Sequence, residues 1–351
     1  MIITRYHNTT EEKLTIEFLS PTFLGGADQH AELRSAPLKN LLRQWWRVAV
    51  GNQYTNSEDF LEAENELFGT SLSGKDAQAS LIRLALFANA HEFEISSQPF
   101  DFGTTYHPEV AQKGKGNISN ALYLGFGPIV NAPGGTKPKS YIMPGSRATI
   151  ILTFPYDKQE LFHLILQLID AFGTVGSRGR NGYGSFALSG KTFSRANLGT
   201  LPSQPLSELI NREQQYPSSL GSATGRLLCW ETSPQKDWKG IMETLAGAYL
   251  KTRTSVNIAQ QGLQQRHIIG YPVTNHPVTD WGGSNGRMPS QLRLMVKRNH
   301  EDKLVGRILH LPHKLPKRWD SAKLGSELAV WQKIHGLLDA HKGLYRHEGK
   351  Q

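Results

Sequence analysis

Cysteine is almost absent from this chain, because Cys229 is the only one among 351 residues. One cysteine excludes an intrachain disulfide framework and a thiolate zinc site within one chain, and it is typical of a reducing compartment. Long hydrophobic runs are also missing. The longest, residues 161–169, is interrupted by His163 and Gln167 and is far shorter than the ~20 residues that span a bilayer. The start, MIITRYHNTTEEK, has no apolar secretory segment, so we expect a cytoplasmic protein.

Motifs of metal and nucleotide enzymes are missing as well. The 13 histidines include no HExxH pair and no closely spaced His/Asp/Glu cluster. His267 is the best single candidate for general acid–base chemistry, but nothing in the sequence pairs it with a lysine or tyrosine. We therefore expect no metal, no cofactor and no catalytic residue.

Positive charge is in excess. The chain has 39 Lys and Arg against 30 Asp and Glu, a net charge of +9. Such a surplus favours polyanionic partners but does not decide between nucleic acid, an anionic membrane surface and an acidic protein.

Strand and helix patterns recur in the order β-α-β-β-α-β. The first round gives strands at 14–19, 81–87, 147–154 and 183–188. Its two long helices are predicted at 37–50, with Ser35 as N-cap, and at 157–172, opened by an Asp157/Glu160 capping pair. A short helix at 59–68 is predicted between the first long helix and the second strand. The second gives strands at 227–231, 291–297 and 305–311, and helices at 237–250 and 321–340. This order predicts an α+β protein of two tandem ferredoxin-like (RRM-like) domains, 1–200 and 223–351, joined by a linker at 201–222.

A stripe of cations marks the first helix. Lys39, Arg43 and Arg47 recur every four residues, and Arg34 precedes the helix. No acidic residue stands four positions away, so the stripe is either a solvated basic face or a row of phosphate contacts.

A glycine-rich loop at 173–184 lies between the second long helix and the last strand of the first domain. Five glycines surround Arg178 and Arg180 in GTVGSRGRNGYGSF. Glycine lets backbone N–H groups approach a phosphate, and arginine adds charge-assisted hydrogen bonds. The sequence predicts RNA contacts here, with Tyr183 stacking on a base, from the following residues: Gly176, Ser177, Arg178, Gly179, Arg180 and Tyr183. A flexible connection is the alternative.

Two further regions carry isolated basic residues. The first domain contains a long insertion at about 101–144 with Lys113, Lys115, Lys137 and Lys139, which is either functional or disordered until assembly. In the second domain, Arg266 and Arg287 lie next to strand-like segments and are candidate RNA contacts.

Three segments together resemble the RAMP superfamily of CRISPR-associated proteins, and within it the first-subunit family of type III-B (Cmr) effector complexes. They are FLGGADQHAELRSAPLKNLLRQWWR, ENELFG and GTVGSRGRNGYGSF. The resemblance implies RRM-like domains and a place at the head end of the complex, contacting guide and target RNA near the guide 3′ end beside other RAMP subunits.

We therefore interpret the sequence as a non-catalytic RNA-binding subunit of such a ribonucleoprotein in antiviral defence. The alternative is a RAMP-type endoribonuclease that processes CRISPR precursor RNA without metal, with His267 as acid or base. A pure assembly subunit, whose basic faces meet acidic proteins, is a third possibility.

Overall fold

The computed structural model describes residues 8–26, 28–70, 77–111, 114, 116–212, 216–256, 262–273, 276–315 and 325–347. Lys113 and Lys115 of the predicted insertion, and residues 321–324 of the last predicted helix, lie outside these ranges. In the described ranges no helix is both long enough and apolar enough to cross a bilayer.

The first half of the chain forms a four-stranded antiparallel sheet, whose strands lie in the order β10 (Phe186–Gly190), β1 (Thr9–Phe18), β9 (Arg147–Pro155) and β2 (Arg83–Phe87). Leu14, Ile16 and Phe18 alternate with polar residues along its central strand and face the core. The elements up to the second strand are β1 (Thr9–Phe18), α1 (Ser35–Val50), α2 (Ser57–Phe68) and β2 (Arg83–Phe87). Those that complete the sheet are β9 (Arg147–Pro155), α5 (Gln159–Phe172) and β10 (Phe186–Gly190).

Helices α1 and α5 contact each other and cover this sheet. Trp45 of α1 stacks on Phe172 at the end of α5, with ring centres 5.9 Å apart. The side of α1 that carries Leu38, Leu41 and Trp45 is therefore core, as its periodicity predicts.

The insertion between β2 and β9 is a series of short elements. They are β3 (Ile95–Ser96), β4 (Thr104–Tyr106), α3 (Pro108–Ala111), β5 (Asn117–Ser119), α4 (Asn120–Gly125), β6 (Ile129–Ala132), β7 (Gly135–Pro138) and β8 (Tyr141–Ile142). Ala121 and Leu124 of α4 are buried against the second half, whereas Phe126 at its end is 63% exposed.

The segment predicted as a linker is packed. It contains β11 (Ser203–Pro205), α6 (Leu206–Leu209) and β12 (Leu220–Ala223), and β13 (Arg226–Leu227) completes a three-stranded sheet. Leu206, Leu209 and Leu220 are buried, so the described parts of this segment, 201–212 and 216–222, contribute to the core rather than forming an exposed connection.

The second half forms another four-stranded antiparallel sheet, whose strands lie in the order β15 (Leu292–Arg298), β16 (Leu304–His310), β14 (Cys229–Glu231) and β17 (Tyr345–Arg346). Its elements are β14 (Cys229–Glu231), α7 (Trp238–Ser255), β15 (Leu292–Arg298), β16 (Leu304–His310), α8 (Glu327–Asp339) and β17 (Tyr345–Arg346). Both halves together are a mixed α+β structure.

Two predicted helix starts differ from the structure. The N-cap of α1 is Arg34, without a side-chain hydrogen bond, and not Ser35. Helix α5 begins at Gln159 after a short 3-10 turn, so the Asp157/Glu160 capping pair does not form. The ends of α2 at Gly69 and of α5 at Gly173 agree with the prediction.

Candidate functional site

The glycine-rich loop after α5 packs against the loop between β1 and α1. The Ser177 amide donates to the Phe23 carbonyl at 2.8 Å, and the Gly184 amide donates to the Pro21 carbonyl at 3.1 Å. Gly176 has φ +86°, and a Cβ there would lie 2.6 Å from the Phe23 oxygen, so this contact requires glycine. Two sequence motifs, at 23–26 and 176–179, therefore form one surface, which we call the paired-loop surface.

Arg178 projects from the paired-loop surface in an uncommon backbone conformation. Its φ is +59°, and it is exposed together with Gly176 and Ser177. Within the described ranges no carboxylate pairs with Arg178. The loop therefore presents an unneutralised guanidinium beside solvent-reachable backbone.

The chain that leads into α1 turns back onto residues 23–26, where the Glu32 amide donates to the Leu24 carbonyl at 2.7 Å. Arg34 is exposed, Lys39 is half-buried, and the first turn contains no acidic residue. Neither cation has an ion-pair partner among the residues that the structure describes. The positive end of the helix dipole adds to their charge.

Arg43 and Arg47, the rest of the predicted stripe, are paired inside the protein. Arg47 donates to both carboxylate oxygens of Glu64, with Nε–Oε2 at 2.5 Å and Nη2–Oε1 at 2.7 Å. Arg43 approaches the same carboxylate at 3.3 Å and donates to the Gly69 carbonyl at 2.9 Å. The hydrogen bond to Glu64 raises the pKa of Arg47. These contacts correct the expectation of a stripe without an acid, because the acid comes from α2.

Tyr183 does not present a ring to solvent. It is fully buried, and its hydroxyl donates to the Ala121 carbonyl at 2.9 Å. Burial raises the pKa of this hydroxyl. The expectation that Tyr183 stacks on a base is therefore corrected: the side chain ties the loop to α4.

Arg266 and His267 are also interior residues. Arg266 is 4% exposed, pairs with Glu109 at 2.6 Å and donates to the Val256 carbonyl at 3.0 Å. Both ring nitrogens of His267 bond to the backbone, Nδ1 at Gln264 and Nε2 at the His276 carbonyl. Burial lowers the pKa of His267. Neither side chain is available to RNA in this conformation.

Arg287 is exposed and lies in the second half, where its Nη1 donates to the Gly286 carbonyl at 2.7 Å. Arg180, by contrast, lies at the junction of the two halves, because its carbonyl accepts from the Leu294 amide at 2.8 Å. The predicted contact residues thus lie in different environments: Arg34, Arg178 and Arg287 are exposed, Arg43 and Arg47 are paired with Glu64, and Tyr183 and Arg266 are buried.

The sequence analysis missed Arg293, which lies on β15 next to this junction. Its guanidinium carbon is 5.9 Å from the ring centre of Trp45 on α1. The signal that marks it is an arginine in the otherwise apolar strand LRLMV. No group of three or more metal-binding side chains occurs in the described ranges.

Comparisons with known proteins show similarity to CRISPR-associated proteins. Residues 15–187 match the sequence model of the RAMP superfamily. The chain is 25% identical over 224 residues to the CRISPR system Cmr subunit Cmr1-1 of Pyrococcus furiosus, covering 62% of this chain and 58% of the relative.

Two solved structures resemble most of the chain. The crystal structure of apo Cmr1 from Pyrococcus furiosus has a TM-score of 0.49 at 18% identity, over 97% of this chain and 99% of that one. A chain of the Type III-B Cmr-beta complex bound to cognate target RNA has a TM-score of 0.48 at 11% identity, over 94% of this chain and 100% of that one.

Proposed function

We propose that the chain is a non-catalytic RNA-binding subunit of a type III-B CRISPR effector ribonucleoprotein, a proposal supported by the match of residues 15–187 to the RAMP superfamily model and by the similarity to a Cmr1 subunit. Its partners are guide and target RNA and the other RAMP subunits. It takes a place at the head end of the complex, near the guide 3′ end, in antiviral defence in the cytoplasm.

Two tandem ferredoxin-like domains form the framework of this proposal. The order of strands and helices in each half is β-α-β-β-α-β once α2, the insertion and the packed segment 201–222 are set aside. The sheet orders β10-β1-β9-β2 and β15-β16-β14-β17 are equivalent when one is read in reverse. This equivalence supports a common arrangement of the two halves.

RNA binds at the paired-loop surface and at the adjoining start of α1. The contact between Ser177 and Phe23 carries this proposal, because it joins the glycine-rich loop to the loop that leads into α1. Arg178, Arg34 and Lys39 contact phosphates, while backbone groups at 176–179 approach the strand closely. Arg287 is a separate, peripheral contact.

Arg43 and Arg47 position α2 and carry less of the RNA contact. One buried carboxylate, Glu64, faces two guanidinium groups, so a single net positive charge remains at this place. Of the three cations in the predicted stripe, Lys39 therefore contributes most to RNA binding.

The endoribonuclease alternative has no observation in its favour. The candidate acid or base, His267, is enclosed and has both ring nitrogens bonded to the backbone. Incubation of the chain with precursor RNA in the absence of metal tests for cleavage directly. Discrete products from the wild-type chain would contradict the non-catalytic proposal.

Salt-dependent RNA binding tests the proposed surface. For Arg178→Ala we expect weaker binding of every single-stranded sequence, and a log–log salt slope smaller in magnitude by about 0.7, the share of one phosphate. Lys191→Ala is the matched control, since Lys191 is exposed beyond the opposite end of β10 and loses the same charge. Equal slopes for both variants, measured by fluorescence anisotropy of labelled RNA, would reject the surface.

A further inference from the structure

The two halves of the chain meet at the second arginine of the glycine-rich loop. The Arg180 carbonyl accepts from the Leu294 amide at 2.8 Å, and Asn181 forms a parallel bridge with Leu294. These contacts place Arg180 next to Arg293, which directly precedes Leu294 on β15. A loop of the first half thus meets a strand of the second with one arginine on each side.

His313 lies three residues after β16, beside the start of β15. Its backbone amide donates to Gln291 Oε1 at 3.1 Å, and Gln291 stands two positions before Arg293. Burial lowers the pKa of Arg293, and the positive charge of Arg180 lowers it further. Burial likewise lowers the pKa of His313, and the charges of Arg293 and Arg180 add to this effect. All three residues are partly buried.

Positive charge and buried hydrogen-bond donors occur together at this junction. No carboxylate within the described ranges pairs with Arg180 or Arg293. Two buried N–H groups nearby also lack a partner, the Gln291 side-chain amide and the Trp45 indole, and Arg293 lies over the indole ring. Buried donors are normally satisfied, so this concentration of donors and positive charge calls for an anion.

We propose that Arg180, Arg293 and His313 form a phosphate-binding site between the two halves, occupied by a phosphate group of RNA. The RNA part of this inference rests on the proposed function, whereas the chemistry of the site does not. Two guanidinium groups suit the tetrahedral oxygens of a phosphate through paired, charge-assisted hydrogen bonds. An RNA strand held there contacts both halves of the chain at once.

His313 is positioned to complete the site. Its Nδ1 bonds to the Lys314 carbonyl at 2.9 Å, and since a carbonyl only accepts, Nδ1 carries the proton. Nε2 has no partner in the described part of the chain. A phosphate would offset the two positive charges that disfavour the imidazolium, so that Nε2 gains a proton and donates to the anion.

Two arms of one experiment separate the possible sources of phosphate. In the first, Arg293→Gln is compared with wild type for binding of labelled oligouridylate over a range of KCl concentrations. We expect the log–log slope to fall in magnitude by about 0.7, and Arg293→Lys to restore it. Arg298→Gln is the control, because Arg298 lies on the same strand but is already paired with Glu17 at 3.0 Å.

In the second arm, inorganic phosphate replaces chloride at constant ionic strength, and the thermal midpoint of the full chain is recorded. A phosphate-specific rise in the thermal midpoint that Arg293→Gln abolishes supports the site. It does so even if wild type binds no RNA, because absence of RNA binding would reject only the proposed function. A rise without any change in the RNA slope overturns the RNA part. If neither the slope nor the phosphate response differs between Arg293→Gln and Arg298→Gln, the site is overturned.

Discussion

Gly184 shows how one residue of the glycine-rich loop serves the fold. Its φ is +65°, and a Cβ there would overlap the carbonyl oxygen of Val175. Its own amide and carbonyl bond to Pro21 and Val175. The density of glycine in this loop, which the sequence analysis attributed to phosphate binding, therefore has a second cause in close backbone packing.

Gly184→Ala should destabilise the protein through both effects. The left-handed conformation costs an L-residue about 1–2 kcal/mol, and displacement of the Val175 backbone adds to this. Gly225→Ala is the control, because Gly225 has φ +71° with open space around it and bears the conformational cost alone. Denaturant unfolding should give a clearly larger loss of unfolding free energy for Gly184→Ala than for Gly225→Ala. Equal losses would mean that the Val175 backbone moves aside without an energetic cost.

At the scale of elements, Glu64 holds α2 against α1. The carboxylate is 3% exposed, and the two arginine side chains that surround it are about one-third exposed. Helix α1 itself contains no acid that could pair with these arginines. Glu64 stands 17 positions after Arg47 and approaches it only when α2 packs against α1. The cation stripe was predictable from the sequence, but its neutralisation was not.

Glu64→Gln should separate structural from RNA-binding roles of the stripe. Loss of a buried ion-pair partner costs about 3–5 kcal/mol, and partial exposure of the arginines reduces this to about 2 kcal/mol. Glu66→Gln, on the exposed side of the same helix, should change the free energy of unfolding little. An RNA salt slope that stays unchanged in Glu64→Gln fits a structural role, whereas a steeper slope would show that freed arginines engage phosphate.

In the other elements, too, features set by adjacent residues were more predictable than features set by distant contacts. Gly69 and Gly173 end their helices as predicted, because a glycine at a helix end acts locally, whereas the predicted N-terminal caps of α1 and α5 do not form. The sheet orders, the packing of 201–222 and the burial of Tyr183 depend on contacts between residues far apart in the chain. Periodicity predicts that an element exists but does not determine which neighbour covers it.

At the scale of the whole molecule, polar groups buried between the halves join them. Lys297 on β15 donates to the Ile169 and Phe186 carbonyls of the first half at 3.2 and 2.9 Å. Arg307 donates to the Ala171 carbonyl at 3.0 Å, and the Ser185 hydroxyl accepts from the Val296 amide at 2.9 Å. Each donor and acceptor needs the other half, so we expect the halves to unfold together.

Lys297 gives this junction a characteristic pH dependence. Burial lowers its pKa from 10.5 to about 7. Between pH 7 and 9 the unfolded chain keeps a proton that the folded chain has released, so wild-type stability should rise with pH, by about 2 kcal/mol over this window. Lys297→Met should remove that rise, while Lys13→Met, on the exposed side of β1, should retain it. Denaturant unfolding at several pH values measures the free energy of unfolding of each variant. If it changes with pH equally in wild type and Lys297→Met, Lys297 stays charged at the junction. The nearby Asp170 carboxylate would then hold that charge, because its own charge opposes the effect of burial.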